Sequence, residues 1–303
     1  MKRFAILVLA LPIAGAACSG RGAVSLGPAP GVRPSSPAPS SSPVHSPRPA
    51  RSPSTAASSP TPVATAARAY TYQVWFVRGG RLFETKRTEA FVPGIGSLAL
   101  SRLLEGPSGP EGAASVSTEI PSGTRLLGLT ISNGAATVDL SSSFESRPAA
   151  PAMSLRLAQV VYTITQFSTA RSVRFSIDGT ARTTVGGVPV QQPQTRAMFD
   201  PFLPAIVVES PTIGSRVSSP VTVSGTANVF EATVTARIID ANGHEIARAF
   251  TQATCGTGCR GAFSLAITYH VGSEQSGVIE VFEQSAKDGS AINVQRIPVT
   301  LTP

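Results

Sequence analysis

The side chains best placed to react with one another are two thiols, in Cys255-Gly256-Thr257-Gly258-Cys259. Outside a reducing compartment such a pair closes a small disulfide that pins a loop between strands. A redox pair would be separated by two residues, not three. Zinc would need further ligands, and only His244 and His270 are candidates in this half of the chain. His244 lies in Asp240-Ala241-Asn242-Gly243-His244-Glu245, where a turn accounts for the polar cluster and the glycine is at the wrong offset for a calcium loop. His270 beside Tyr269 reads as an exposed strand end, and His45 has no partner in sequence. Three carboxylates could be asked to do acid–base work: Glu105, Asp139 and Asp178. Glycoside hydrolysis needs two such groups about 5 to 9.5 Å apart, and Asp139 and Asp178 are separated by a helix and 38 intervening residues. Asp139, ahead of Ser141-Ser142-Ser143, orients a turn or holds a partner-facing loop, and Asp178-Gly179 is a hairpin corner. Gln159 and Tyr162 sit three apart on a helix, so they either pack or line an edge that faces a partner. A Gly-x-Ser-x-Gly elbow, a His-Glu-x-x-His helix and a phosphate-binding glycine loop are all missing, so the chain spells out no catalytic, metal or cofactor-binding residue.

The elements that must position these residues fall into two sets. In the first, Tyr70–Val77 and Leu82–Thr85 read as strands around Gly79-Gly80. A helix follows, with Leu98, Leu100, Leu103 and Leu104 on one side, ended by Gly106-Pro107. Arg125–Ile131 and Ala135–Leu140 form a hairpin about Asn133-Gly134, a pair that tolerates the positive φ of a short turn. A second helix spans about Ala152 to Phe167, and Val173–Gly179 is a further strand. Two helices on one face of a largely antiparallel sheet make a two-layer α+β domain. Proline-broken Arg196–Pro204 is a packed linker. Beyond it come seven β runs: Ile206–Glu209, Pro220–Gly225, Ala232–Asp240, Glu245–Ala253, Gly261–Tyr269, Gly277–Ser285 and Ile292–Leu301. With no helical pattern between them they predict an all-β immunoglobulin-like sandwich, with Val221, Val223, Val234, Ala236 and Ile238 facing inward.

The formal charge of +8 over 303 residues invites a nucleic-acid reading, but residues 1–70 hold seven Lys/Arg and no acid, leaving 18 basic against 17 acidic residues in 71–303. A phosphate-tracking groove needs clustered positive charge, so nucleic acid is excluded as a partner. Met1-Lys2-Arg3 precedes an apolar stretch that ends in Gly15-Ala16-Ala17-Cys18, too short for a spanning helix, which needs about 20 residues. The run resembles a bacterial lipoprotein signal, with Gly15 where a branched apolar residue is usual; an ordinary secretory cut nearby is the alternative. The resemblance implies that Cys18 carries the lipid, and acyl chains there would hold the protein on a membrane surface. Residues 19–70 contain 11 prolines and no acidic residue. Such a segment cannot build a core and reads as a disordered tether reaching on the order of 150 Å.

Two family resemblances complete the reading. Tyr72–Val77, Leu103-Leu104-Glu105-Gly106-Pro107, Ile120-Pro121-Ser122-Gly123-Thr124, Asn133–Leu140, Leu157–Ile164 and Val173–Gly179, in this order, resemble the spore-germination GerMN domain. Val208-Glu209-Ser210-Pro211, Val221–Ala232 and Gly261-Ala262-Phe263-Ser264 resemble Gmad2, the immunoglobulin-like domain found behind germination domains. The expected layout is therefore a signal peptide at 1–17, a tether at 18–69, a GerMN-like domain at 70–190, a linker at 191–204 and a Gmad2-like sandwich at 205–303. The resemblance implies a non-catalytic, lipid-anchored extracytoplasmic envelope protein that acts by protein association and needs no cofactor. Its partners would be membrane lipid, envelope proteins or further copies of itself, and wall polymer such as peptidoglycan. Two alternatives are a cell-wall polymer hydrolase with paired carboxylates and a small-solute capture protein with a deep apolar pocket between its domains.

Overall fold

In the computed structural model, residues 69–146 and 150–303 are described; the signal segment, Cys18 and the tether lie outside them. The first strands, β1 (Ala69–Arg78) and β2 (Arg81–Ala90), form an antiparallel hairpin. It turns on Gly79 and Gly80, whose φ values of 58° and 71° are those a two-residue hairpin loop requires. Tyr72, Val74, Trp75, Phe76, Val77, Leu82 and Phe83 are buried along it. Helix α1 (Ile95–Glu105) buries Ala99, Leu100 and Leu103 and stops at Gly106, which cannot continue it because Pro107 follows. The short α2 (Gly109–Ala113) comes next.

Strands β3 (Leu126–Ser132) and β4 (Ala135–Leu140) pair antiparallel around Asn133 and Gly134, at φ 51° and 79°. Helix α3 (Ala150–Ile164) then crosses over, so that β5 (Ser172–Ile177) lies parallel to β4. A helical crossover between neighbouring strands enforces that direction. The largely antiparallel single sheet expected from the sequence is thus corrected to a β1–β2 hairpin and a separate, mixed four-stranded sheet. Its order is β3-β4-β5-β6, with β6 at Thr180–Ala181. A two-residue pair, β7 (Thr184–Val185) and β8 (Val188–Pro189), completes this mixed α/β domain.

The second part is an immunoglobulin-like sandwich. One sheet contains β9 (Ile206–Ser210), β11 (Val221–Ala227) and β14 (Gly261–Ile267), with β11 in the middle. The other is ordered β10 (Arg216–Val217), β16 (Ala291–Leu301), β15 (Gln275–Gln284), β12 (Thr233–Ile239) and β13 (Glu245–Gln252). Strand β10, which the sequence reading did not anticipate, pairs parallel with β16. Strict alternation places Phe263, Leu265 and Ile267 inside from β14. Val221, Val223, Val234, Ala236 and Ile238 face inward as expected.

All described residues belong to one compact unit. The β1–β2 turn lies against the sandwich, with Arg78 Nη1 donating to the Arg296 carbonyl at 2.8 Å and Nη2 to Gln295 Oε1 at 2.6 Å. Arg81 donates to the Pro201 carbonyl, and β2 packs on β9. No helix of the described residues is long and apolar enough to cross a membrane.

Candidate functional site

Gln159 and Tyr162 are where a partner-facing edge was one of two expectations. Both are buried, Gln159 fully and Tyr162 at 2% exposure, so neither can face a partner. Gln159 Nε2 donates to the Trp75 carbonyl at 3.1 Å and to Thr118 Oγ1 at 3.0 Å, and its Oε1 accepts from the Glu119 N–H at 3.0 Å. It belongs to a polar row on α3 and just beyond. One turn on, Thr163 Oγ1 accepts the Trp75 N–H at 3.1 Å, and Gln166 bonds both the N–H and the carbonyl of Gln73. Positions 159, 163 and 166 share one helix face. They occupy the edge of β1 that β2 leaves open, and an exchange of backbone bonds between Val77 and Ser117 extends that cover.

Tyr162 opens onto the junction between the domains. Its ring packs on Trp75 with centroids 4.7 Å apart, its hydroxyl donates to Asp200 Oδ1 at 2.6 Å, and burial together with that carboxylate pushes the phenol's pKa up. Arg196 Cζ lies 4.7 Å from the Tyr162 ring centre and 5.8 Å from that of Trp75. Its Nε and Nη2 donate to Thr165 Oγ1 and the Tyr162 carbonyl at 2.9 and 2.8 Å. The linker reads as packed because of these contacts and because Phe199 is buried.

Trp75, Tyr162, Arg196 and Asp200 line a cavity of about 220 Å³ together with Gln73, Glu84, Leu203, Val207, Glu209, Thr226 and Arg260. Five of its eleven lining residues are charged, unlike the deep apolar pocket that the solute-capture alternative requires. Glu84 reaches it from β2 with its side chain only 2% exposed, and its Oε1 has no hydrogen-bond partner. Burial, helped by the nearby Glu209 charge, pushes its pKa up to about 8, against a smaller pull from Lys86 and Arg196. Arg260 enters from the loop before β14 and donates to the carbonyls of Pro204 at 2.7 Å and Thr226 at 3.3 Å. The sequence reading missed Glu84, Glu209, Arg196 and Arg260 as a group; one signal for it was an acidic residue, Glu84, directly behind the apolar pair Leu82-Phe83 in β2.

The other residues singled out lie apart from this cavity. Asp139 Oδ1 accepts the Gly179 N–H at 3.0 Å and Asp178 Oδ1 the Ser142 N–H at 3.2 Å, both at the C-terminal ends of β4 and β5. Glu105 is held by Arg102 at 2.7 Å on α1. Asp240 accepts the N–H groups of Asn242 and His244 at 2.9 and 2.8 Å and so closes the turn between β12 and β13. Cys255 and Cys259, with Cα atoms 5.7 Å apart, are joined as a disulfide in the loop between β13 and β14. Among the described residues no group of three or more His, Cys, Asp and Glu could hold a metal ion.

Comparison with known proteins bears on the architecture. Residues 76–183 match the family described as sporulation and spore germination, and residues 205–290 match the immunoglobulin-like domain of bacterial spore germination. Both families are structural and non-catalytic. No curated protein matches the chain. Among solved structures, the first GerMN domain of the sporulation protein GerM from Bacillus subtilis is 19% identical over 42% of this chain and 98% of its own, with a TM-score of 0.35. The tandem GerMN domains of the same protein are 14% identical over 66% of this chain and 62% of theirs, at 0.37. A putative lipoprotein from Clostridium perfringens is 18% identical over 45% and 93%, at 0.33. The chain carries a GerMN domain followed by a Gmad2 immunoglobulin-like domain.

Proposed function

We propose that this chain is an extracytoplasmic envelope protein, tethered to the outer face of the membrane by a lipid on Cys18, that serves as a protein-association scaffold in spore germination, sporulation or wall assembly. The observation that carries the reading is the pairing of two non-catalytic domain families on one compact unit, GerMN first and Gmad2 second. The sequence supports the anchor through Met1-Lys2-Arg3, the apolar run and Gly15-Ala16-Ala17-Cys18, and residues 18–69 supply the spacer that lifts the folded part away from the bilayer. In this layout the GerMN-like domain extends over 70–190 and the sandwich over 205–303, joined by 191–204.

Envelope proteins or further copies of the chain are the partners this layout fits, with wall polymer such as peptidoglycan as a second contact. Interaction surfaces must be sought on the exposed faces, since Gln159 and Tyr162 are internal; Asp139, half-buried at a strand end, stays accessible. The test is fractionation of cells expressing the parent and Cys18→Ala, followed by cross-linking in the envelope fraction. The parent partitions with membranes and cross-links to envelope protein; the variant is released to the soluble fraction. Equal membrane retention of the two would rule out the lipid anchor, and an uncrosslinked monomer would rule out the scaffold.

A further inference from the structure

The junction cavity brings together charges of both signs that do not pair with one another across it. Glu84 and Glu209 line it, as do Arg196 and Arg260. No ion pair within 4.0 Å joins either of these guanidiniums to either of these carboxyl groups. Asp200 is engaged by the Tyr162 hydroxyl at 2.6 Å. The guanidiniums are fixed by neutral groups instead: Arg196 by Thr165 Oγ1 and the Tyr162 carbonyl, Arg260 by the carbonyls of Pro204 and Thr226. Glu84 Oε1 is buried with no hydrogen-bond partner and meets Lys86 Nζ only at 4.0 Å. A buried carboxyl oxygen left unbonded is costly, and so is a half-buried guanidinium without a counter-charge. Such groups persist where something else completes them.

We propose that this cavity binds a small zwitterionic α-amino acid, its ammonium held by Glu84 and Glu209 and its carboxylate by Arg196 and Arg260. Glu84, Glu209 and Asp200 face Arg196 and Arg260 across the same lining, so neither a simple cation nor a simple anion meets both signs of charge. An occupant with both poles satisfies both kinds of group at once. The volume of about 220 Å³ has room for about seven water molecules and so admits an amino acid with a short side chain, and Trp75, Leu203 and Val207 supply apolar wall for that side chain. Because the lining comes from β1, β2, α3, the linker turn, β9, β11 and the loop before β14, an occupant there would join the two domains more firmly.

Isothermal titration of the purified full chain with glycine, L-serine and L-valine tests this. Methylammonium and acetate, at matched concentration, each present one pole alone. The expected result is saturable binding of at least one amino acid, no binding of either single-pole probe, and an affinity at least about tenfold weaker in Glu84→Gln and in Arg260→Met. Glu84→Gln preserves size and shape, so it remains informative if the arginine variant fails to fold. Silence with all three amino acids would mean that water alone fills the cavity and would overturn the proposal, as would binding of acetate alone or undiminished binding by Glu84→Gln. The result is independent of membrane partition and of cross-linking, so its failure leaves the scaffold reading in place.

Discussion

The side-chain amide of Gln166 closes both backbone groups of Gln73: Oε1 accepts the Gln73 N–H at 2.7 Å and Nε2 donates to its carbonyl at 2.7 Å. With Thr163 and Gln159 doing the same for Trp75, the helix stands in for a third strand beside the hairpin. An uncovered strand edge recruits other strands. Gln159→Ala leaves the Trp75 carbonyl and the Glu119 N–H unpaired in the interior and should cost about 2 to 4 kcal/mol, as two unmet buried groups. Gln166→Ala, nearer solvent, should cost about 1 kcal/mol. Urea unfolding measures both, and light scattering should show Gln159→Ala aggregating first on warming.

Glu84 imposes a pH dependence of definite sign. Its folded pKa of about 8 lies above the ordinary carboxylate value of 4.5, so the folded state holds its proton more tightly than the unfolded state. Stability linked to this group is therefore fully present below about pH 4.5 and falls as pH rises toward 8. Glu209, Lys86, Arg196 and Gln73 are the groups that face it. Glu84→Gln removes the dependence: parent and variant should differ little at pH 5, and the variant should be more stable by on the order of 3 kcal/mol at pH 8.5. Denaturant midpoints at the two pH values decide the matter, and a parent that gains stability relative to the variant between them would contradict it.

Glu111 behaves in the opposite sense. Burial raises its pKa, but Arg87 in a two-pronged ion pair at 2.7 Å, Thr85 and the Ser108 N–H outweigh that and hold it near 2. A depressed carboxylate contributes above pH 4.5, and its contribution is lost as pH falls toward 2. Glu111→Ala strands Arg87 and should cost about 3 to 5 kcal/mol at neutral pH, with the gap from the parent narrowing in acid. Thermal melts between pH 2 and 7 measure it.

Gly225 sits in β11 where a Cβ would lie 2.0 Å from the Val207 carbonyl oxygen, within the register shift between β11 and β9. Backbone cannot yield as a flexible side chain would. Gly225→Ala should cost about 3 kcal/mol or more, in the range of severe overpacking. Gly272→Ala, at a loop glycine with open space around it, should stay within about 0.5 kcal/mol of the parent.

The Cys255–Cys259 bridge closes a short loop, for which chain-entropy reasoning gives about 2 kcal/mol. The Cys255→Ser, Cys259→Ser double variant should unfold earlier by that amount, and reductant should shift the parent toward it but leave the variant unmoved.

Much of the architecture was legible along the chain because its signals are local. Periodicity of 2 in Val234, Ala236 and Ile238, the Gly79-Gly80 and Asn133-Gly134 turns, and the stop at Gly106-Pro107 each act within a few residues. So did the ordered motifs that mark GerMN and then Gmad2, and the uneven charge that places seven of the basic residues before residue 71. What the chain alone left open depends on long-range approach. Gln159 read as packed with a partner-facing edge as the alternative, and the choice was made only when its helix was laid along the β1 edge, because an amide that satisfies backbone has the same sequence signature as one that meets solvent. The parallel pairing of β4 and β5 follows from where α3 packs, not from either strand's pattern. Glu84 and Glu209 are 125 positions apart, and Arg196 and Arg260 are 64 apart; only the packing of β2 on β9 brings them to one cavity. Composition by itself determined a neutral folded part behind a basic tether, whereas the unpaired charges inside that part arise from burial, which only the tertiary structure decides.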